Sequence, residues 1–216
     1  RRAELHSETG RRLRRRARKV AEVGGVVTVV AGGLVLTATT AALTSTSRMW
    51  KKGAARDLGN GVVPWAASML WWDFAYYWNH RFQHEVRSMW AIHVPHHSSE
   101  HYNLSTALRQ TGSGFLLGWV FYLPMAVAGV PPPVFGLVAL VDLLYQFWVH
   151  TEQVGKLGWF DRVFCSPSNH RVHHAVNDPY LDKNYGGILI VWDRLFGSFA
   201  EEDDAVPCVY GTRGPL

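Results

Sequence analysis

Cysteine is scarce in this 216-residue chain, and Cys165 with Cys208 can build neither a disulfide framework nor a thiolate zinc site. The ligand pattern of soluble carboxylate di-iron proteins, a Glu joined by Glu-x-x-His, is absent. Haem would ask for single histidines on facing helices, and the histidines instead come in adjacent groups. Net positive charge is missing from most of the chain. The formal net charge is +5, but residues 1–19 hold nine basic residues against Glu4 and Glu8, and the remainder carries −2. The surplus belongs to a tail rather than to a nucleic-acid-binding face, so no nucleic-acid partner is expected. No internal repeat is present, and the basic arm is the one biased tract.

What is there is apolar and segregated: 48% of the residues are hydrophobic, with ten Trp, eight Tyr and ten Phe. Charges crowd into a few stretches and leave four runs that predict membrane spans: 23–43, 61–79, 113–130 and 134–149. The second run is broken by Asp73 and the fourth by Asp142, while Pro131-Pro132-Pro133 turns the third back into the fourth as a helical hairpin. The expected fold is therefore all-α, an integral-membrane helical bundle of about four transmembrane helices. Its expected domains are a basic cytoplasmic arm (1–22), the membrane domain (23–210) and a tail (211–216). The run 23–43 is too long for the apolar part of a signal peptide and reads as an anchor. With the arm inside, 18 of the 22 basic residues lie on the cytoplasmic side; Arg48, Lys51, Lys52 and Arg56 break the positive-inside rule. The chain begins at Arg1 rather than Met, as a fragment would.

Eleven histidines carry the chemistry. His80 and His84 form an HxxxH; His93, His96 and His97 form an HxxHH; His170, His173 and His174 form another; His150 follows the fourth run. On a helix, positions i and i+4 lie about 40° apart and share a face with i+3, so each group can aim several imidazoles at one point. Pro95 biases Val94 away from helix, which predicts that His93 precedes a helix starting near Pro95. Packed imidazoles repel when charged and need partners when buried, and a shared metal centre relieves both problems. Catalytic zinc is normally held by three protein ligands, whereas nine imidazoles suit two ions with positions left open. Alternatives are a membrane zinc hydrolase acting on lipids and a metal-handling membrane protein without catalysis. Asp73, seven residues before His80, and Asp142, two turns before His150 through Gln146, are expected to support ligand imidazoles or to make polar contacts inside the bundle.

Three stretches are specific in combination: His80-Arg81-Phe82-Gln83-His84, His93-Val94-Pro95-His96-His97-Ser98-Ser99, and Ser166-Pro167-Ser168-Asn169-His170-Arg171-Val172-His173-His174. Together they resemble the fatty acid hydroxylase superfamily, also called the sterol desaturase family. Asp182-Lys183-Asn184-Tyr185-Gly186-Gly187 and Trp192-Asp193-Arg194-Leu195-Phe196-Gly197 look most like its bacterial members and its alkylglycerol monooxygenase branch. The resemblance covers roughly residues 60–210. It implies a cytoplasm-facing di-iron site, with His80, His84, His93, His96, His97, His150, His170, His173 and His174 as ligands and Asn184 beside Asp73 and Asp142 in support. It further implies O2 as co-substrate, a lipid (fatty acyl, sterol or ether lipid) that is hydroxylated or desaturated, and an external electron donor such as reduced ferredoxin or a small cytochrome. His6 and His101 fall outside the pattern. Relatives that run on past Val209-Tyr210-Gly211 imply a C-terminal truncation at Leu216.

Overall fold

The computed structural model describes residues 45–53, 57–109 and 115–213, together with positions 12, 15, 16 and 19 of the basic arm. The chain divides into two units at Ser45/Thr46, and the second carries the fold. The expected anchor 23–43 and nearly all of the arm lie outside the described residues, as do 214–216 of the tail.

Among the described residues the structure is all-helical, with two isolated β-bridges, Phe164 to Leu189 and Ala175 to Tyr210, in place of strands. The helices are α1 (Thr46–Lys52), α2 (Val62–Glu85), α3 (Arg87–His97), α4 (Leu104–Ala107), α5 (Phe115–Val127), α6 (Pro132–Trp148), α7 (Phe160–Val163), α8 (Pro167–His174) and α9 (Val191–Phe196). The expected runs 61–79, 113–130 and 134–149 coincide with α2, α5 and α6. Among the described residues, however, no helix is long and apolar enough to cross a membrane. The reason is arithmetic. Helices α5 and α6 have 13 and 17 residues, or about 20 and 26 Å of rise against a hydrocarbon core of about 30 Å. Helix α2 is longer, at 24 residues, but carries Asp73, Asn79, His80, Arg81, His84 and Glu85.

Helix α2 is the axis on which α3, α5 and α6 pack. Its apolar partners form a core of Trp72, Met125, Val130, Val134 and Val138, with Trp72 stacked on Tyr122 at 4.1 Å. Each fully buried aliphatic side chain of this kind contributes on the order of 1.5–3 kcal/mol. Pro131 caps α6 and Pro132 occupies its first turn, where a missing N–H costs nothing. Helix α9 docks against α2 through Phe74 to Trp192 (5.1 Å) and Tyr77 to Phe196 (5.4 Å).

Two local features position the histidines. Val86 is the only residue between α2 and α3 and adopts an extended conformation, so the chain turns at once from His84 toward His93. Ser166 caps α8 by accepting from the Asn169 N–H, with Pro167 at the first helical position. One expectation is corrected. His93 does not precede a helix that starts near Pro95, because α3 runs from Arg87 to His97 with Pro95 inside it. Tertiary packing against α2 overrides the local bias, and only two residues follow Pro95 before the helix ends.

Candidate metal centre

The nine histidines expected as ligands converge into two groups. His80, His84, His93, His97 and His173 form one; His96, His150, His170 and His174 form the other; within each group the donor nitrogens lie within 4.8 Å of one another. Several Nε2 atoms nearly touch: His80 to His93 and His93 to His97 at 3.1 Å, His150 to His170 at 3.0 Å, His96 to His150 and His170 to His174 at 3.2 Å. The groups adjoin, with the His97 and His174 rings stacked at 4.3 Å. His101 is exposed and belongs to neither.

Each HxxHH divides its residues the same way. On α3 the i,i+4 pair His93 and His97 serves the first group while His96 serves the second; on α8 the pair His170 and His174 serves the second while His173 serves the first. A residue at i+3 sits about 60° to one side of residue i and one at i+4 about 40° to the other. A single helix turn thus faces two neighbouring points.

Backbone acceptors fix the ring orientations. His80 Nδ1 donates to the Tyr185 carbonyl at 2.9 Å, His173 Nδ1 to the Lys183 carbonyl at 2.9 Å, and His150 Nδ1 to the Gln146 carbonyl at 2.7 Å. His84 Nδ1 donates to Asp182 Oδ1 at 3.3 Å. A proton held on Nδ1 leaves Nε2 as a lone pair. Nε2 of His84 and of His173 is buried without a hydrogen-bond partner. Burial holds all nine imidazoles below their ordinary pKa, His96 at about 3 and His150 at about 4. At His84 burial outweighs the opposing pull of Asp182. Converging lone pairs on neutral, buried rings are a donor set that fits transition-metal ions.

The segment 182–185 therefore supplies every acceptor named for the first group. Asn184 holds it in place: φ is +57°, the side-chain amide donates to the Asn169 and Ala200 carbonyls, and its oxygen accepts from Ala200 N–H. Asp193 accepts from the N–H groups of Tyr185 and Gly186, each at 2.7 Å, and from the Ser198 hydroxyl. Gly186 and Gly187 must lack side chains, because a Cβ would meet the Leu189 carbonyl oxygen at 2.5 Å and Tyr76 Cδ1 at 2.8 Å.

Asp73 does something other than orient an imidazole. Its oxygens accept from the N–H groups of Ile188 and Leu189 and from the Trp192 indole, tying the loop after Gly187 to α2. Asp142 reaches the centre only indirectly: Gln146 Nε2 donates to its Oδ2 at 3.0 Å, and the Gln146 carbonyl takes the His150 proton. Sequence reasoning gave no role to Asp182 or Asp193, and placed Gln146 between Asp142 and His150 without foreseeing that its backbone carbonyl is the acceptor. Three supporting acceptors, on Tyr185, Lys183 and Gln146, are backbone carbonyls, which leave no residue signature; the one available signal was the conjunction of Asp182 and Asp193 around the paired glycines.

Two cavities reach the histidines. One of about 740 Å³ lies between α2, α5 and α6 and ends on His93, His96 and His150, with Leu143, Leu144 and Phe147 among its apolar walls. The other, about 450 Å³, reaches His84, His97, His173 and His174 beside Trp90 and Asp182.

The described residues, all-helical, gather nine buried imidazoles into two adjoining groups and define a class, a protein able to hold metal ions between two cavities. A family model described as fatty acid hydroxylase matches residues 65–198, and the chain belongs to that family. It is 50% identical to alkylglycerol monooxygenase of Danio rerio and 48% identical to that of Homo sapiens, over 160 residues in each case, covering 71% of this chain and 35% of each relative. It is 30% identical to ornithine lipid hydroxylase OlsE of Rhizobium tropici over 132 residues, 59% of this chain and 39% of that protein. The chain thus spans about a third of the length of these relatives. No solved structure matches it.

Proposed function

We propose that the chain carries the catalytic core of a membrane-bound, non-haem di-iron oxygenase that uses O2 and an external reduced carrier, ferredoxin or a small cytochrome, to oxidise a lipid. The observation that supports this most is the division of nine histidines into groups of five and four. Three ligands satisfy a catalytic zinc ion, so this set exceeds what a zinc hydrolase needs. All nine histidines serve as ligands on this reading. Iron held by both groups would supply the reduction of dioxygen and the oxidation of an unactivated C–H bond.

The chain's own residues do the rest. Tyr185, Lys183, Gln146 and Asp182 hold protons on Nδ1 and keep Nε2 free. The 740 Å³ cavity offers an alkyl chain a path along Leu143, Leu144 and Phe147 to His93, His96 and His150. A stripe of exposed apolar residues on α6, Leu137, Leu140 and Leu144, supports seating in a lipid bilayer; the histidine side faces the cytoplasm on this reading. Similarity to alkylglycerol monooxygenases favours an ether lipid as substrate.

The test is metal analysis of detergent-purified protein joined to lipid mass spectrometry of a host with and without it. About two irons per chain and a lipid that gains one oxygen or loses two hydrogens are expected. Zinc alone, with no O2 uptake, refutes the reading.

A further inference from the structure

A further cavity, of about 440 Å³, is lined by no histidine and lies between the 156–162 segment and α9, with Ser168 and Asn169 on its α8 side. Helices α7 and α9 are held together there: the Ile190 N–H donates to the Val163 carbonyl, and Arg194 Nε donates to the Arg162 carbonyl, each at 3.0 Å. The second bond orients the Arg194 guanidinium, which lies over the Phe199 ring at 3.7 Å, and leaves both Nη groups without a partner. Arg162 is exposed, and its guanidinium makes no hydrogen bond or ion pair among the described residues. Two cationic forks thus border one cavity unpaired. The remaining charges of the wall are engaged, save one. Lys156 is paired with Asp204 at 2.8 Å. Asp161 Oδ2 accepts from the Leu157 N–H at 2.6 Å, and its Oδ1 is buried out of a ligand's reach. Glu201 is exposed and, among the described residues, makes no hydrogen bond or ion pair. The rim is apolar: Trp159, Val163 and Leu195, each next in sequence to the lining residues Gly158, Arg162 and Arg194, are 70%, 38% and 68% exposed.

Guanidinium forks match phosphate oxygens through paired N–H bonds, a free carboxylate matches an ammonium, and an exposed Trp beside cationic side chains suits the headgroup level of a membrane. We propose that this cavity binds the headgroup of a phosphoethanolamine-type lipid, with the phosphate on Arg162 and Arg194, the ammonium on Glu201 and the acyl chains over Trp159, Val163 and Leu195. The arrangement suits the level of α9, which docks on α2 at Phe74 and Tyr77, inside the run 61–79 expected to lie in the bilayer. The proposal rests on the reading of the chain as membrane-bound. The lipid held here is a ligand and not the molecule oxidised, because no histidine lines the cavity. A headgroup without an amine leaves Glu201 unpaired beside the phosphate, and free phosphate leaves the apolar rim uncovered.

The experiment counts lipids bound to the purified full chain in detergent by native mass spectrometry, titrating phosphatidylethanolamine, phosphatidylglycerol and inorganic phosphate. Phosphatidylethanolamine should bind more tightly than phosphatidylglycerol by about threefold, the scale of one exposed ion pair, and more tightly than inorganic phosphate by about tenfold or more, since the phosphate covers no apolar rim. Arg162→Gln removes no side-chain contact within the fold and should weaken phosphatidylethanolamine binding about tenfold, the scale of hydrogen bonds between charged groups. Glu201→Gln should erase the preference for phosphatidylethanolamine over phosphatidylglycerol. An unchanged affinity in Arg162→Gln would overturn the proposal. So would inorganic phosphate that competes as well as the lipid, which makes the site one for free phosphate, or a preference for phosphatidylglycerol in the unaltered protein, which makes it one for anionic lipid. Iron content, measured on the same samples, separates this site from the oxygenase reading: Arg162→Gln should load iron like the unaltered protein, and headgroup binding that is selective in a chain without iron would refute that reading and leave this site standing.

Discussion

Acid should unfold the metal-free protein, and the structure gives the size of the effect. Burial holds His96 at about 3 and His150 at about 4, against about 6.5 for an unfolded histidine. Below pH 6.5 the unfolded chain takes up protons that the folded chain refuses, so stability is complete above 6.5 and is lost as pH falls toward the folded values. Carried to completion, the two groups account for roughly 5 and 3 kcal/mol, and for about 4 kcal/mol together by pH 5. The other seven imidazoles shift the same way and add to the loss. Since whole domains are stable by only about 5–15 kcal/mol, chelator-treated protein should show a thermal midpoint that drops by at least about 10 °C between pH 8 and pH 5, the share of His96 and His150 alone. Intrinsic tryptophan fluorescence in detergent follows it. His150→Asn removes one proton from the uptake and should flatten the slope by about 1.4 kcal/mol per pH unit. Iron, if the deprotonated rings bind it as proposed, should move the whole curve to lower pH. A midpoint that stays level from pH 8 to pH 5 in chelator would mean that the nine rings are not buried neutral together, and the packing argument would fail.

Three further outcomes are expected. His173→Ala and His97→Ala should lower iron content measured by elemental analysis and abolish lipid oxidation while the protein still folds, whereas His101→Ala should change neither; full activity of His173→Ala refutes the ligand set. Asp193→Asn places an amide NH2 opposite the N–H of Tyr185 or Gly186; iron affinity should fall about 10- to 100-fold, the range for lost supporting hydrogen bonds, and an unchanged affinity in metal titrations would show that the 182–185 segment holds itself. Cysteine probes at the exposed Glu100 and Glu201, in a background lacking Cys165 and Cys208, should both be shielded from an impermeant thiol reagent in intact cells; labelling of one without the other would separate the two halves of the centre.

The sequence made the all-helical architecture and the nine site histidines legible for a physical reason. Apolar runs and proline turns are local signals, and α2, α5 and α6 follow them closely. The His boxes are local too, because i, i+3 and i+4 alone put their rings on one side of a helix. What stayed hidden was long-range. The reach from Asp73 to Ile188, the link from Tyr185 to Asp193, and the cap of Asn184 on Ala200 depend on where a loop returns, which no spacing rule carries. The Pro95 expectation failed for the same reason: a local bias of the backbone gave way to packing of α3 on α2.

The pattern within each HxxHH explains why the motif recurs. A site for one ion could be built from an i,i+4 pair alone. The additional histidine at i+3 swings to the other side of the helix face, and in α3 and α8 it serves the group that its own pair does not. Both helices are therefore shared, with His96 and His173 as the crossing members. Neither group can assemble without the other's helices: the first draws on α2, α3 and α8, and the second on α3, α8 and His150, two residues beyond α6. That sharing fixes the two groups side by side, with His97 stacked on His174 at 4.3 Å. If each group holds an ion, loading should be cooperative, because ordering α3 and α8 around one ion would position ligands for the next. Exchange of the crossing residue alone, His96→Asn, should then weaken binding at both groups in metal titrations, although it removes a ligand from only one. Loss confined to the four-histidine group would show that the helices are rigid without metal and that the sharing is geometric only.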